Sequence, residues 1–223
     1  MNFDRKKLLL YAVTDSGKKA DRPLPERVES ALKGGATCIQ LREKELTGEA
    51  LMKEAEQIRA LCAAYRVPLI INDDVELAVS LDADGVHVGQ RDMGAKEARR
   101  RLGPGKIVGV SARTVEQAVR AWEDGADYLG VGAVFHTGSK ADARQIAHDT
   151  LRRICVAVPI PAVAIGGITE ENVLQLKGSG ISGIAVISAV FAKEDVQAAA
   201  ERLRKLAESV VETPKEQNAG DCQ

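Results

Sequence analysis

Residues 124–132 read DGADYLGVG and residues 82–89 read DADGVHVG. In each, glycine and aspartate stand just before a short apolar run. The same junction recurs as GGATCIQLR at 34–42 and GSGISGIAVIS at 178–188. Glycine fits the left-handed position that ends a helix and turns the chain into the next strand. Outward from these junctions, apolar runs lie at Leu8–Val13, Thr37–Leu41, Pro68–Ile71, Gly85–Val88, Lys106–Val110, Tyr128–Val131, Ala162–Ile165 and Ile184–Ile187. Amphipathic stretches separate them, among them Glu26–Lys33, Gly48–Ala64, Val115–Glu123 and Glu170–Leu176. In the second of these, Leu51, Ala55, Ile58 and Leu61 share a face and Lys53, Glu54 and Glu56 lie off it. Strands alternating with helices mean βα units and a parallel sheet. Each unit takes about 27 residues, near the roughly 30 of a (β/α)8 barrel. No G-x-G-x-x-G follows the first run, as a dinucleotide-binding sheet would require. The predicted fold is α/β, a single-domain (β/α)8 TIM barrel over residues 1–211, with its active site at the C-terminal ends of the strands. The polar stretch 212–223, with Pro214 and Gly220, is expected to be a disordered tail.

The composition bounds the function. At 223 residues, 45% hydrophobic and 28% charged, the chain suits one soluble globular domain. A net charge of −1 offers no basic field, so neither nucleic acid nor a membrane surface is an expected partner. The four cysteines, Cys38, Cys62, Cys155 and Cys222, form no C-x-x-C pair, and the three histidines are scattered. That pattern reads as small buried hydrophobes in a reducing compartment rather than as a zinc or redox site. There is no signal-peptide pattern and no run of about 18 apolar residues, so the expected location is cytoplasmic.

The strand ends carry the chemistry. In the second run, a two-residue period puts Gln40, Arg42 and Lys44 on one face, turned to the barrel mouth if Ile39 and Leu41 face the helices. An amide, a guanidinium fork and a compact ammonium suit an anionic ligand with polar ring edges. The third run ends Asn72-Asp73-Asp74 and the fourth leads to Gln90-Arg91-Asp92. Carboxylates on adjacent strand ends can share magnesium, which favours oxygen ligands and bridges substrate phosphates. Asp73 and Asp92 are the metal candidates, and Asp74 reads as a helix N-cap. Ser111 either donates to a phosphate or caps the next helix. The long loop with His136, Thr137, Gly138, Ser139 and Lys140 suits an oxyanion. Gly166 and Gly167 let backbone N–H groups approach a phosphate after the seventh strand, and Ser188 follows the eighth. His87, inside a strand, reads as a packed or orienting residue, and His148 as structural.

Taken in order, QLREK at 40–44, INDDVELA at 71–78, DGVHVGQRD at 84–92, GVS at 109–111, DGADYLGVGAVF at 124–135, AIGGI at 164–168 and VISA at 186–189 resemble the thiamine phosphate synthase family. The resemblance runs from about Leu10 to Leu206. It implies a magnesium-dependent transferase. Such an enzyme condenses 4-amino-2-methyl-5-(diphosphooxymethyl)pyrimidine with 4-methyl-5-(2-phosphooxyethyl)thiazole, giving thiamine phosphate and pyrophosphate. It further implies that the segment Gln40, Leu41, Arg42, Glu43 and Lys44, with Asn72, Ser111 and Lys140, holds the pyrimidine diphosphate. Asp73 and Asp92 would bind Mg2+. Thr137, Gly138 and Ser139 would hold the thiazole phosphate, with Gly167, Ile187 and Ser188 around its phosphate group. Arg42, Lys44, Ser111 and Lys140 would be the catalytic set. In the long loop the chain departs from the family, with His136 at a frequent proline and Ser139 at a threonine.

The implied path is dissociative, with pyrophosphate leaving first and a pyrimidine-stabilised cation captured by the thiazole nitrogen. Three rivals stand beside it. A thiazole tautomerase would tend to lack the arginine-x-lysine and asparagine-aspartate-aspartate sets that this chain keeps. A non-catalytic phosphate-ligand barrel is compatible with the fold. An aldolase would use Lys44 or Lys140 as a Schiff base. Association into a homo-oligomer is left open by the residues.

Overall fold

The computed structural model describes residues 3–15, 22–137 and 145–211. The tail expected to be disordered, 212–223, lies outside the described residues, as do Gly138, Ser139 and Lys140.

Eight parallel strands close into one barrel in sequence order. They are β1 Leu10–Val13, β2 Cys38–Leu41, β3 Leu69–Asn72, β4 Gly85–Val88, β5 Ile107–Ala112, β6 Tyr128–Gly132, β7 Ala162–Ile165 and β8 Gly183–Val186. Closure comes from β1 pairing with β8, Tyr11 opposite Ala185. The helices are α1 Leu24–Lys33, α2 Gly48–Tyr65, α3 Val75–Ser80, α4 Ala95–Leu102, α5 Val115–Glu123, α6 His148–Ala157, α7 Ser188–Phe191 and α8 Val196–Val210. The strands lie within two residues of their predicted bounds. The helix expected over Glu170–Leu176 is replaced by a short 3-10 turn, Val173–Leu176. Asn172 there accepts from the Thr169 N–H and donates its amide to the Gly167 carbonyl, tying the segment into a turn. Local side-chain bonds of this kind compete with the helix.

Strand parity divides the apolar residues into two cores. Leu10, Ala12, Ile39, Leu41, Ile71 and Val86 point outward and pack against the helices with Ala55, Ile58 and Cys62. Tyr11, Val13, Cys38, Ile70, Tyr128, Val163 and Ala185 fill the barrel, with Leu8 and Phe3 beside them. Phe3 stacks on Tyr128 at 5.8 Å between ring centres. Cys38 and Cys62 are buried and Cys155 half-buried, all free thiols. Desolvation pushes the Cys62 thiol up to about 12, so it stays protonated and inert at neutral pH.

Two glycines shape the interior. Gly109 on β5 is in register with both His87 and Tyr128. A Cβ there would fall on the Tyr128 ring, and one on Gly130 would stand 2.8 Å from His87 Cε1. The barrel thus holds two rings side by side because two neighbouring inward positions carry no side chain.

Candidate active site

A cavity opens at the C-terminal mouth, about 770 Å³ counting the space open to solvent. Gln40, Arg42, Asn72, Ser111, Thr137 and Ile187 line it, all of them among the sequence candidates. Gln40 turns inward because Ile39 and Leu41 turn out to the helices, as strand parity requires. Leu41 is 2% exposed in that outer core, so its side chain stays away from the cavity.

Arg42 is held where β1 and β2 end. Thr14 donates its backbone N–H to the Gln40 carbonyl at 2.9 Å, and its hydroxyl accepts from the Arg42 N–H at 2.8 Å. The Arg42 side chain is only 5% exposed and pairs with Asp15 at 3.9 Å. A buried guanidinium whose carboxylate partner among the described residues stands 3.9 Å away keeps room for a polyanion. Lys44 departs from the expected parity. The strand stops at Leu41, and the Glu43 carboxylate accepts the backbone N–H groups of Lys44 and Glu45, both at 2.6 Å. This turn puts Lys44 on the exposed rim rather than among the cavity-lining residues. Glu43 is thus a turn-forming residue.

Asn72 ends β3, and its amide donates to Asp73 Oδ2 at 2.7 Å. Asp73 adopts φ 63, a left-handed conformation that asparagine and aspartate tolerate better than most residues. Its N–H donates to the His87 carbonyl at 2.8 Å. Asp92 Oδ2 accepts from the Gly89 N–H at 2.7 Å. Asp73 through its backbone and Asp92 through its carboxylate are therefore both anchored to the same end of β4. Among the described residues, no group of three or more histidine, cysteine, aspartate or glutamate side chains is placed to hold a metal ion. Two exposed carboxylates beside an amide do fit magnesium, which takes one or two carboxylates and completes its shell with water and phosphate oxygens. Asp74 caps α3, accepting from the Leu77 N–H at 2.9 Å.

Ser111 does not cap α5, a task done by Thr114. Its hydroxyl lies 2.9 Å from His87 Nε2, and its carbonyl accepts from Gln90 Nε2 at 2.7 Å. His87 is thereby an orienting residue, as its strand position suggested. Beyond β7, Gly166 lines the cavity, and Gly167 packs under the loop that follows β6. A Cβ on Gly167 would strike the His136 carbonyl, and Phe135 donates its N–H to the Gly166 carbonyl at 3.0 Å. The glycine pair thus serves loop packing as well as any close approach to phosphate. Ile187 precedes α7, and Ser188 is its exposed first residue. Tyr11, Val13 and Arg113 also line the cavity and were missed in the sequence. Tyr11 had a signal, a phenol at an inward-parity position of an otherwise apolar strand.

Residues 10–190 match the family described as thiamine monophosphate synthase. The chain belongs to that family. It is 49% identical over 194 residues to a thiamine-phosphate synthase of Clostridium tetani, covering 87% of this chain and 93% of that one. It is 46% identical over 197 residues to one of Ruminiclostridium cellulolyticum, covering 88% and 94%. Among solved structures, a thiamine phosphate pyrophosphorylase from Pyrococcus furiosus matches with a TM-score of 0.85 and 43% identity, covering 93% of this chain and 99% of that one. The protein is an enzyme of thiamine biosynthesis, a transferase that makes thiamine phosphate. Among the described residues, no helix is long and apolar enough to cross a membrane.

Proposed function

We propose that the mouth cavity holds the pyrimidine diphosphate between Gln40, Asn72 and Ser111, with its diphosphate toward Arg42. The observation that carries this reading is the convergence of Gln40, Arg42, Asn72 and Ser111, from the ends of three strands, β2, β3 and β5, on one cavity in a chain of this family. Asp73 and Asp92 would hold Mg2+, which when bound neutralises charge developing on the leaving pyrophosphate. The thiazole phosphate would sit against Thr137, Gly167, Ile187 and Ser188, with Gly138 and Ser139. Lys44 from the rim and Lys140 from the long loop would add cations to the diphosphate.

In the reaction, the bond from the pyrimidine methylene to the diphosphate oxygen breaks, and its electron pair leaves with pyrophosphate. The thiazole nitrogen lone pair then forms the new carbon–nitrogen bond. Arg42, buried and preorganised, stabilises the departing charge at little reorganisation cost. The nitrogen attacks without losing a proton, so the chemistry needs no protein base. Both ring nitrogens of His87 are accordingly engaged in hydrogen bonds. The cavity keeps water from the cation once substrates close it. On the same reading the enzyme works in the cytoplasm, alone or as a homo-oligomer.

The test follows thiamine phosphate and pyrophosphate from both substrates, with and without chelator. Equal, magnesium-dependent formation of both products is expected. Asp73→Asn and Asp92→Asn should each raise the magnesium concentration for half-maximal rate at least tenfold. Unchanged magnesium dependence in both variants would remove the two carboxylates from the metal site.

A further inference from the structure

Five side chains form a single file of hydrogen bonds across the cavity floor. Gln40 Nε2 donates to the Tyr11 hydroxyl at 2.6 Å. The Tyr11 and Tyr128 hydroxyls are 2.8 Å apart. The Tyr128 hydroxyl lies 3.0 Å from His87 Nδ1, and His87 Nε2 lies 2.9 Å from Ser111 Oγ. The inner members, Tyr11, Tyr128 and His87, are all buried. Gly109 and Gly130 leave the space that the Tyr128 and His87 rings occupy. Burial pushes both phenols well up, so each carries its one proton at neutral pH.

A phenol between two partners in such a file accepts from one and donates to the other. Direction therefore passes along the file. With Gln40 donating, Tyr11 donates to Tyr128 and Tyr128 to His87 Nδ1. With Nδ1 accepting, the His87 ring hydrogen is on Nε2, which then donates to Ser111. The Ser111 hydrogen is left for the cavity, where Gln40 presents its carbonyl oxygen. Half a turn of the Gln40 amide, with the two phenol hydroxyls rotating and the His87 proton exchanging from Nε2 to Nδ1, reverses each link. Gln40 then presents its NH2 group and Ser111 a lone pair. In either direction the two ends show opposite polarity.

We propose that Tyr11, Tyr128 and His87 are positioning residues that couple Gln40 to Ser111 from β2 to β5, so that a bound ring always meets one donor and one acceptor. That pairing matches an aminopyrimidine, whose amino group donates and whose ring nitrogens accept. Links in such a file strengthen one another, so the ends act together although they stand on strands three apart. The proposal rests on the reading that Gln40 and Ser111 hold the pyrimidine.

The test is a double-mutant cycle on kcat/KM for the pyrimidine diphosphate. Gln40→Ala, Ser111→Ala and their combination are measured in the wild-type and Tyr128→Phe backgrounds. Each single change should lower kcat/KM about tenfold, the scale of one lost hydrogen bond to a buried partner. The combination should cost far less than the product of the two, because either change alone breaks the file. In Tyr128→Phe, where the file is already cut, the two effects should multiply. KM for the thiazole phosphate should stay constant throughout. Effects that multiply in the wild-type background would overturn the coupling and leave the pyrimidine site standing. Single changes that leave kcat/KM intact would remove the site itself, and the coupling with it. If circular dichroism shows Tyr128→Phe unfolded, Tyr11→Phe cuts the same file one link away.

Discussion

A methyl group on Gly109 would occupy the place of the Tyr128 ring. Neither ring nor backbone can yield, because Tyr128 is stacked by Phe3 on one side and edged by Tyr11 on another. Gly109→Ala should therefore cost about 1–3 kcal/mol by overpacking, read as a lower urea midpoint with an unchanged slope. The residue scale also shows why parity was the best guide in the sequence. It turned Gln40 and Arg42 inward correctly, and it failed at Lys44 because the strand ends at Leu41. Glu43, which closes that turn by accepting backbone N–H groups, was legible only as part of a motif.

At the scale of elements, the four-residue α7 is fixed from outside. Arg27 of α1, almost fully buried, donates to the Phe191 carbonyl at the end of α7, and its guanidinium carbon stands 5.6 Å over the Phe191 ring. Ser188, at the other end of α7, faces outward beside the mouth. Arg27→Ala should lower stability by about 1.5–3 kcal/mol, the range for a hydrogen bond to a charged group. It should also raise KM for the thiazole phosphate, since α7 loses its tether. Helix α4 carries a different device. Glu97 accepts from Arg100 and Arg101 one turn on. Those bonds, Arg100 first, draw its carboxyl from 4.5 down to about 2. A carboxylate depressed on folding stabilises above its unfolded value. That contribution is present above about pH 4.5 and is lost as pH falls toward 2. A carboxyl-carbon NMR titration should find Glu97 below the ordinary glutamate range, and Arg100→Ala should move it back up.

For the whole molecule, the two ends of the barrel have separate work. At the N-terminal end, Arg99 of α4 donates to the carbonyls of Gly103, Lys106 and Gly125 and pairs with Asp127. Asp127 in turn accepts the Val108 N–H at 2.8 Å. One side chain thus ties α4 to the entries of β5 and β6. Arg99→Ala should lower the thermal midpoint through loss of these charge-assisted bonds, about 1.5–3 kcal/mol, while kcat and both KM values stay unchanged. A drop in kcat at a temperature where the variant is fully folded would contradict this division between a structural face and a catalytic one.

The alternation of apolar runs with amphipathic stretches determined the parallel βα architecture, and eight units of about 27 residues matched the barrel's repeat. The order of polar strand ends determined the family, and with it the chemistry. The long-range contacts came only from the tertiary structure. Tyr11, Tyr128, His87 and Ser111 lie on four strands, and no local spacing relates a phenol at position 11 to one at 128. Their file forms because closure of β1 on β8 curls the sheet until inward side chains from distant strands meet. The same closure made Gly109 and Gly130 places for rings, where the sequence alone showed two glycines in strands. Helix 170–176 was misread for a related reason. Its apolar residues fit a helical face, but Asn172 found backbone partners in the turn after β7. Periodicity is a local property and survives in sequence, whereas pairing across a barrel depends on where the whole chain returns.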